Sequence, residues 1–255
     1  MPNYAIILYT LREPAREDLK HTLRRVREIG YEYVQWSGMP PMTAEDIRAA
    51  LDEAGLKAIA GHCSMEPFEE DMEAQIRFWK TVGAPDVAPG GMMNDCKEDL
   101  AAWLRGAARL DAIGAKLREA GIRLSYHNHD HEFQYFDGDS RRKIDILYES
   151  TSPDNLKAEL DLGWVFAAGV DPAAYVRKYA GRCPVIHVKD MLKQRDEKGH
   201  VVCKPLGQGE VDWPSVLPEI KAAGVEWCVY EQDNAQGDIF EEAAQSREFL
   251  ARHLG

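Results

Sequence analysis

Paired cysteines, long apolar runs and a surplus of basic charge are all missing from this chain. Its five cysteines (Cys63, Cys96, Cys183, Cys203, Cys228) are odd in number, widely scattered and free of any C-x-x-C spacing. That argues against a disulfide framework and suits a reducing cytoplasm. No stretch approaches the ~18 consecutive apolar residues of a membrane span, and Met1 to Arg12 lacks the basic start and apolar run of a secretory signal. With 31 Lys and Arg against 43 Asp and Glu, the net charge is −12. Phosphate-backbone binding depends on Lys and Arg, so this balance argues against nucleic acid as a partner. A cytoplasmic protein that binds neither membrane nor nucleic acid is expected.

A fourth absence bears on the fold. The turn after the first apolar run, Tyr9-Thr10-Leu11-Arg12, has no glycine, so it is not the phosphate-binding turn of a doubly wound sheet. What the chain does contain is one pattern, repeated. Tyr4 to Tyr9 is apolar and β-compatible, as in a strand buried on both faces. Leu19, Leu23, Val26 and Ile29 follow at helical spacing, and Gly30 ends the run. Strand Tyr31 to Trp36, a helix opened by Thr43 with Asp46 three residues on, and Gly55 complete a second unit. The alternation continues through strands at Leu56 to His62, Asp86 to Pro89, from Leu124, Lys157 to Asp161, Pro184 to Lys189 and Glu226 to Glu231. One intervening helix carries Phe68, Met72, Ile76 and Trp79 on a single stripe, another starts at Asp171-Pro172, and the last has Asp238 and Glu241 as a capping pair. A long polar loop follows Lys189. Glycines at six helix-to-strand junctions (Gly30, Gly55, Gly83, Gly121, Gly181, Gly224) mark left-handed helix ends. Eight strands alternating with eight helices predict an α/β fold, a (β/α)8 TIM barrel forming a single domain over residues 1–255.

In such a barrel the active site collects where the strands end. The densest polar stretch, Tyr126-His127-Asn128-His129-Asp130-His131-Glu132, lies at the end of the fifth strand. Alternation along a strand points His127 and His129 one way and Asn128 the other. Strands five to eight end in His127, Asp161, His187 and Glu231. Two imidazoles and two carboxylates at adjoining strand ends make a complete ligand set for one divalent metal ion, with mixed N and O donors suiting Mn, Co, Fe or Zn better than Mg or Ca. Each residue alone has a plainer reading, with Asp161 capping a turn, His187 packed in the core and Glu231 paired with Lys189.

Tyr126-His127-Asn128-His129-Asp130, Glu159-Leu160-Asp161-Leu162-Gly163-Trp164, His187-Val188-Lys189-Asp190 and Tyr230-Glu231-Gln232 resemble the strand-end motifs of the xylose-isomerase-like TIM-barrel superfamily, the sugar phosphate isomerase/epimerase group. The loop Gly207-Gln208-Gly209-Glu210-Val211-Asp212-Trp213 extends the resemblance, which covers essentially the whole chain. It implies a divalent metal, Mn first, held by a Glu, an Asp, a His and a second Glu from strands five to eight. Asp161, His187 and Glu231 fall on the last three. His127 stands where the first glutamate is expected, with Glu132 a few residues on as its rival. Trp164 stands where many members have a histidine.

The resemblance further implies a sugar or keto-sugar substrate, whose α-proton is removed while the metal stabilises the resulting enediolate. Glu231 and His129 are then the candidates for moving the proton and Lys189 for steadying the oxyanion. Trp36, Trp164, His62, Arg12, Gln35 and Asn128 are the expected substrate-binding positions. Isomerase/epimerase chemistry ranks first. With only one glutamate at the matching positions, β-elimination by a lyase or dehydratase on a keto sugar or inositol derivative ranks second. A sugar-binding barrel without catalysis is the non-enzyme alternative. The abasic-site nucleases of this fold use more ligands, and the acidic charge argues against them. Assembly into homo-oligomers stays open.

Overall fold

Runs that are apolar on both faces can be buried on both sides only if the sheet closes or is covered, and here they do both. In the computed structural model, which describes residues 2–254 and so leaves Met1 and Gly255 of the predicted domain outside, eight parallel strands form a closed barrel. They are β1 (Asn3–Ile7), β2 (Tyr33–Trp36), β3 (Lys57–His62), β4 (Asp86–Ala88), β5 (Arg123–His127), β6 (Lys157–Asp161), β7 (Val185–Val188) and β8 (Trp227–Tyr230). Each pairs with its sequence neighbours, and β1 closes the ring on β8 with Ala5 opposite Val229. Helices cover the outside, and the main core lies between them and the strands, with Leu23, Ile47, Leu110, Leu117 and Ile220 among its members.

The inside of the barrel has its own small cluster, Ala5, Ile7, Ile59, Ala60, Val185 and Val229. Side chains two apart share a face. Val185 therefore sets His187 into the interior, and Val229 does the same for Glu231. The apolar plug fills the middle and the polar groups sit on top of it.

Local signals in the sequence work as expected at the helix ends. The six junction glycines all have positive φ, between 69° and 104°. Thr43 Oγ1 accepts from the Asp46 N–H at 3.1 Å and donates to the Asp46 carboxylate at 2.7 Å. Asp171 and Asp238 cap their helices through backbone N–H groups. All five cysteines are free, and among the described residues no helix is long and apolar enough to cross a membrane.

Three local expectations need correction. β1 stops at Ile7, because Leu8–Leu11 turns into a 3-10 segment that leads into the short helix Arg12–Glu17. The stripe through Phe68 and Trp79 belongs to two helices, Glu66–Glu70 and Met72–Val82, since Asp71 leaves the helical conformation and its carboxylate caps the second by accepting from Ala74 N–H at 2.9 Å. The polar loop after Lys189 contains an antiparallel hairpin, Asp190–Leu192 with Val202–Lys204. Its base is fixed by the buried Asp190 carboxylate, which accepts backbone N–H bonds from Met191, Gly207, Gly209 and Val211 and the indole N–H of Trp213. A Cβ on Gly209 would lie 2.2 Å from that carboxylate, so only glycine fits there.

At the opposite end, Asp86 opens β4 fully buried, paired with Arg123 at 2.9 Å and accepting from Ser125 Oγ at 3.1 Å, while its Oδ1 has no partner. Burial pushes its pKa from 3.8 up to about 7, with Arg123 pulling the other way. An acid whose folded pKa is raised contributes stability below its unfolded pKa and loses it as pH climbs to the folded value. Between about pH 4 and 7 the wild type should therefore lose up to ~1.4 kcal/mol per pH unit relative to Asp86→Asn, in urea unfolding across that range. Parallel curves for the two proteins would refute this.

Candidate functional site

β5 to β8 end side by side, and their last inward side chains meet in the barrel mouth. His127, Asp161, His187 and Glu231 offer ligand atoms that all lie within 4.8 Å of one another, and all four residues are buried. His187 Nδ1 contacts Glu231 Oε2 at 2.5 Å. Asp161 does two jobs. Its Oδ1 caps helix Leu162–Ala167 by accepting from Trp164 N–H at 2.9 Å, and its Oδ2 turns into the site. The mouth opens into a cleft of about 940 Å³ whose wall includes His62, His127, His129, Trp164, Glu231 and Asp233.

One glutamate joins this group without having been given a role from the sequence. Glu159 sits two residues before Asp161, on the same face of β6, and is the register partner of His127. It forms a second, deeper cluster with His62, His127 and His187. Its Oε1 contacts His62 Nε2 at 2.5 Å and His187 Nε2 at 3.1 Å. Gln35 Nε2 donates to both its oxygens at 3.1 Å, and Gln35 Oε1 faces His187 Nε2 at 2.7 Å.

Burial and neighbouring charges set the protonation of the cluster. Burial drives His127 down to about 3, leaving a neutral ring with a free lone pair. It raises Asp161 to about 6 against the pull of Lys189. Burial also works against ionising Glu159 and Glu231, yet both are held well below the usual carboxylate range, the first by His187 and His62, the second by Lys189 and His187. Between those glutamates His187 is lifted to about 10 despite its burial. A cation at this point would displace that proton, because a ligating imidazole must be neutral.

The donor set suits a divalent metal. Two imidazoles and two carboxylates converge, and two of the buried atoms make no directed hydrogen bond: His127 Nδ1, 3.5 Å from Glu159 Oε1, and Asp161 Oδ2, which faces Lys189. Lys189 is the counterweight. Fully buried, its ammonium lies 3.0 Å from Asp161 Oδ2, 3.5 Å from Glu231 and 2.9 Å from Asp233, and 4.9 Å from the Trp164 ring centre. Glu132, the rival ligand, is turned elsewhere. Its carboxylate accepts from Tyr126 Oη and His129 N–H at 2.8 Å each and contacts His131 at 3.0 Å.

The remaining expected residues divide. His62, His129 and Trp164 line the cleft; His129 is half-buried with an unpartnered Nδ1, and its burial lowers its pKa. Gln35 lies beneath the cleft on Glu159 and His187. Trp36 follows it directly, so it faces the opposite side of β2 and is buried in the outer core. Asn128 is spent on the backbone of Asp161, accepting its N–H at 3.1 Å and donating to its carbonyl at 3.3 Å. Arg12 donates to the carbonyls of Tyr9 and Asp233 and stacks on Tyr9, bracing two segments of the wall without lining it. The hairpin supplies wall residues that the sequence did not reveal: Arg195, Asp196, Gly199 and His200. Its tip meets the fifth-strand loop through Arg195 and Asp130 at 2.9 Å.

Comparison with known proteins agrees with this architecture. The family model described as xylose isomerase-like TIM barrel matches residues 23–253. The inosose dehydratase of Lacticaseibacillus casei is 27% identical over 164 residues, 58% of this chain and 53% of that protein, so the match spans about half the length of that relative. The inosose dehydratase of Geobacillus thermodenitrificans is 29% identical over 264 aligned residues, 89% of this chain and 85% of that one. A sugar phosphate isomerase/epimerase from Parabacteroides distasonis shares the fold, with a TM-score of 0.82 at 18% identity, covering 99% of this chain and 98% of that one.

Metal analysis of the purified protein tests the ligand set. Wild type should hold about one divalent ion per chain. His127→Ala and Asp161→Ala should lose it, and Glu132→Ala should keep it. Loss in Glu132→Ala with retention in His127→Ala would reverse the assignment on the fifth strand.

Proposed function

From its place in the xylose isomerase-like TIM-barrel family, to which this chain belongs, we propose that it dehydrates a keto sugar or cyclitol by metal-assisted β-elimination. The observation that carries the reading is the convergence of His127, Asp161, His187 and Glu231 beside a neutral, cleft-facing imidazole, His129. The long alignment with a dehydratase of an inosose supports the substrate class. A divalent ion held by the four residues would supply Lewis acidity at the substrate carbonyl, acidifying the C–H beside it.

The side chains then divide the work. His129, kept neutral by burial, takes the α-proton. The C–H electrons form the C=C bond as the β C–O bond breaks, and the departing hydroxyl leaves as water with a proton from Nδ1 of His62, a cleft-wall imidazole whose Nε2 is held by Glu159. Glu231, tied to His187 and Lys189, acts as a ligand rather than as the base. Lys189 balances the carboxylates around it, and Trp164 offers an apolar face to the ring of the substrate.

Isomerase/epimerase chemistry is the second reading, and Glu159 is what favours it. It supplies a second buried glutamate, in the adjoining cluster that shares His127 and His187, as a two-base exchange requires. Both its oxygens are already committed to Gln35, His62 and His187, which places this reading second.

Proton NMR of the metal-loaded protein with an inosose in deuterated water separates the two. Elimination gives an unsaturated ketone with loss of water; isomerisation gives deuterium at the α-carbon in a product that keeps all its hydroxyls. His129→Ala should lower kcat about 10²- to 10⁴-fold. If neither exchange nor elimination occurs with an inosose or a keto-hexose, the catalytic reading fails and a binding role replaces it.

A further inference from the structure

The two ligand clusters overlap in His127 and His187, yet they approach opposite nitrogens of His187. Nδ1 faces Glu231 at 2.5 Å, on the side of Asp161, while Nε2 faces Gln35 Oε1 at 2.7 Å and Glu159 Oε1 at 3.1 Å. A metal can therefore be held on one side of this ring or on the other. Building on the metal reading above, we infer that Gln35 and Glu159 act as a positioning pair that commits His187 to bind the ion through Nδ1, and so select the upper cluster over the deeper one.

The argument follows from donors and acceptors. An ionised carboxylate only accepts hydrogen bonds. Both oxygens of the buried Glu159 lie 3.1 Å from Gln35 Nε2, so the amide must turn its NH2 toward Glu159 and its Oε1 toward His187. His187 Nε2 then meets two acceptors, Gln35 Oε1 and Glu159 Oε1, and satisfies them only by carrying the hydrogen. Once an ion displaces the proton on the other ring nitrogen, the lone pair is left on Nδ1. His62 Nε2 fills another site on Glu159 Oε1, so the deeper group of His62, Glu159 and Gln35 is already hydrogen-bonded within itself. In the upper cluster Asp161 Oδ2 makes no directed hydrogen bond and faces the Lys189 ammonium at 3.0 Å as an ion pair, a place that another cation can take. A partner on the far nitrogen that fixes tautomer and ring orientation typically changes metal affinity ten- to hundredfold.

Long-range 1H–15N correlation on Zn2+-loaded protein labelled with 15N-histidine reads which nitrogen of His187 carries hydrogen. Zinc titration of wild type, Gln35→Met, Glu159→Gln and Asp161→Asn reads affinity and stoichiometry. A hydrogen on Nε2, affinity weakened about ten- to hundredfold in Gln35→Met, retained stoichiometry in Glu159→Gln and loss in Asp161→Asn are the expected results. Zinc on Nε2, with loss in Glu159→Gln and retention in Asp161→Asn, overturns the inference and moves the ion to the deeper cluster. Zinc on Nδ1 with unchanged affinity in Gln35→Met also overturns it, leaving Gln35 a packing residue. A wild type that takes up no metal removes the metal reading itself, an outcome distinct from these. The wild-type spectrum decides the ligating nitrogen whether or not Gln35→Met folds.

Discussion

Taking a carboxylate out of water costs several kcal/mol unless an opposite charge lies within hydrogen-bond reach. The barrel mouth buries Glu159, Asp161 and Glu231 together, and the arrangement around them follows from that constraint. Lys189 answers Asp161 and Glu231, and the imidazoles of His62 and His187 answer Glu159. Even the backbone nearby is shaped by it. Gly163 carries no side chain where a Cβ would come within 2.7 Å of the Lys189 stem, which lets helix Leu162–Ala167 lie against the lysine and brings Trp164 over its ammonium.

The same constraint explains how a polar site coexists with a stable barrel. The plug of Ala5, Ile7, Val185 and Val229 closes the interior below the charges. The ionisable groups thus depend on one another rather than on solvent, and a change at one is felt by the others. The outer core, between strands and helices, is separate from this polar layer. Barrel assembly therefore rests on apolar contacts, and the charges at the top are free to serve chemistry.

Much of this could be read from the chain because two rules are local. Junction glycines such as Gly30 and Gly55 announce helix ends, and alternation along β5 turns His127 inward, while His129 stands in the loop beyond the strand end. Glu159 obeys the same alternation, two residues before Asp161, but taking one ligand from each strand end leaves it without a role. Gln35 and Trp36 are consecutive, so alternation also forbids placing both at the cleft. Alternation also turns Asn128 away from His127, but the partners of Asn128 and Arg12 lie beyond such rules. A polar side chain can satisfy a backbone carbonyl or amide as well as a ligand, and only the fold reveals which carbonyls are near. The hairpin was hidden for a similar reason: its strands are three residues each, and Asp190 secures them through amides supplied by a separate loop.

That hairpin divides the labour of the cleft. The candidate ligands and bases stand on strand ends or just beyond them, where the barrel fixes their positions. Part of the opposing wall comes from the tip of a projecting ribbon, anchored at its base by Asp190 and touching the fifth-strand loop through an exposed Arg195–Asp130 pair. Insertions, deletions or exchanges at that tip can accumulate in a lineage without disturbing the barrel beneath. Descent with such edits would yield paralogues that share one reaction centre and differ in the molecules they admit.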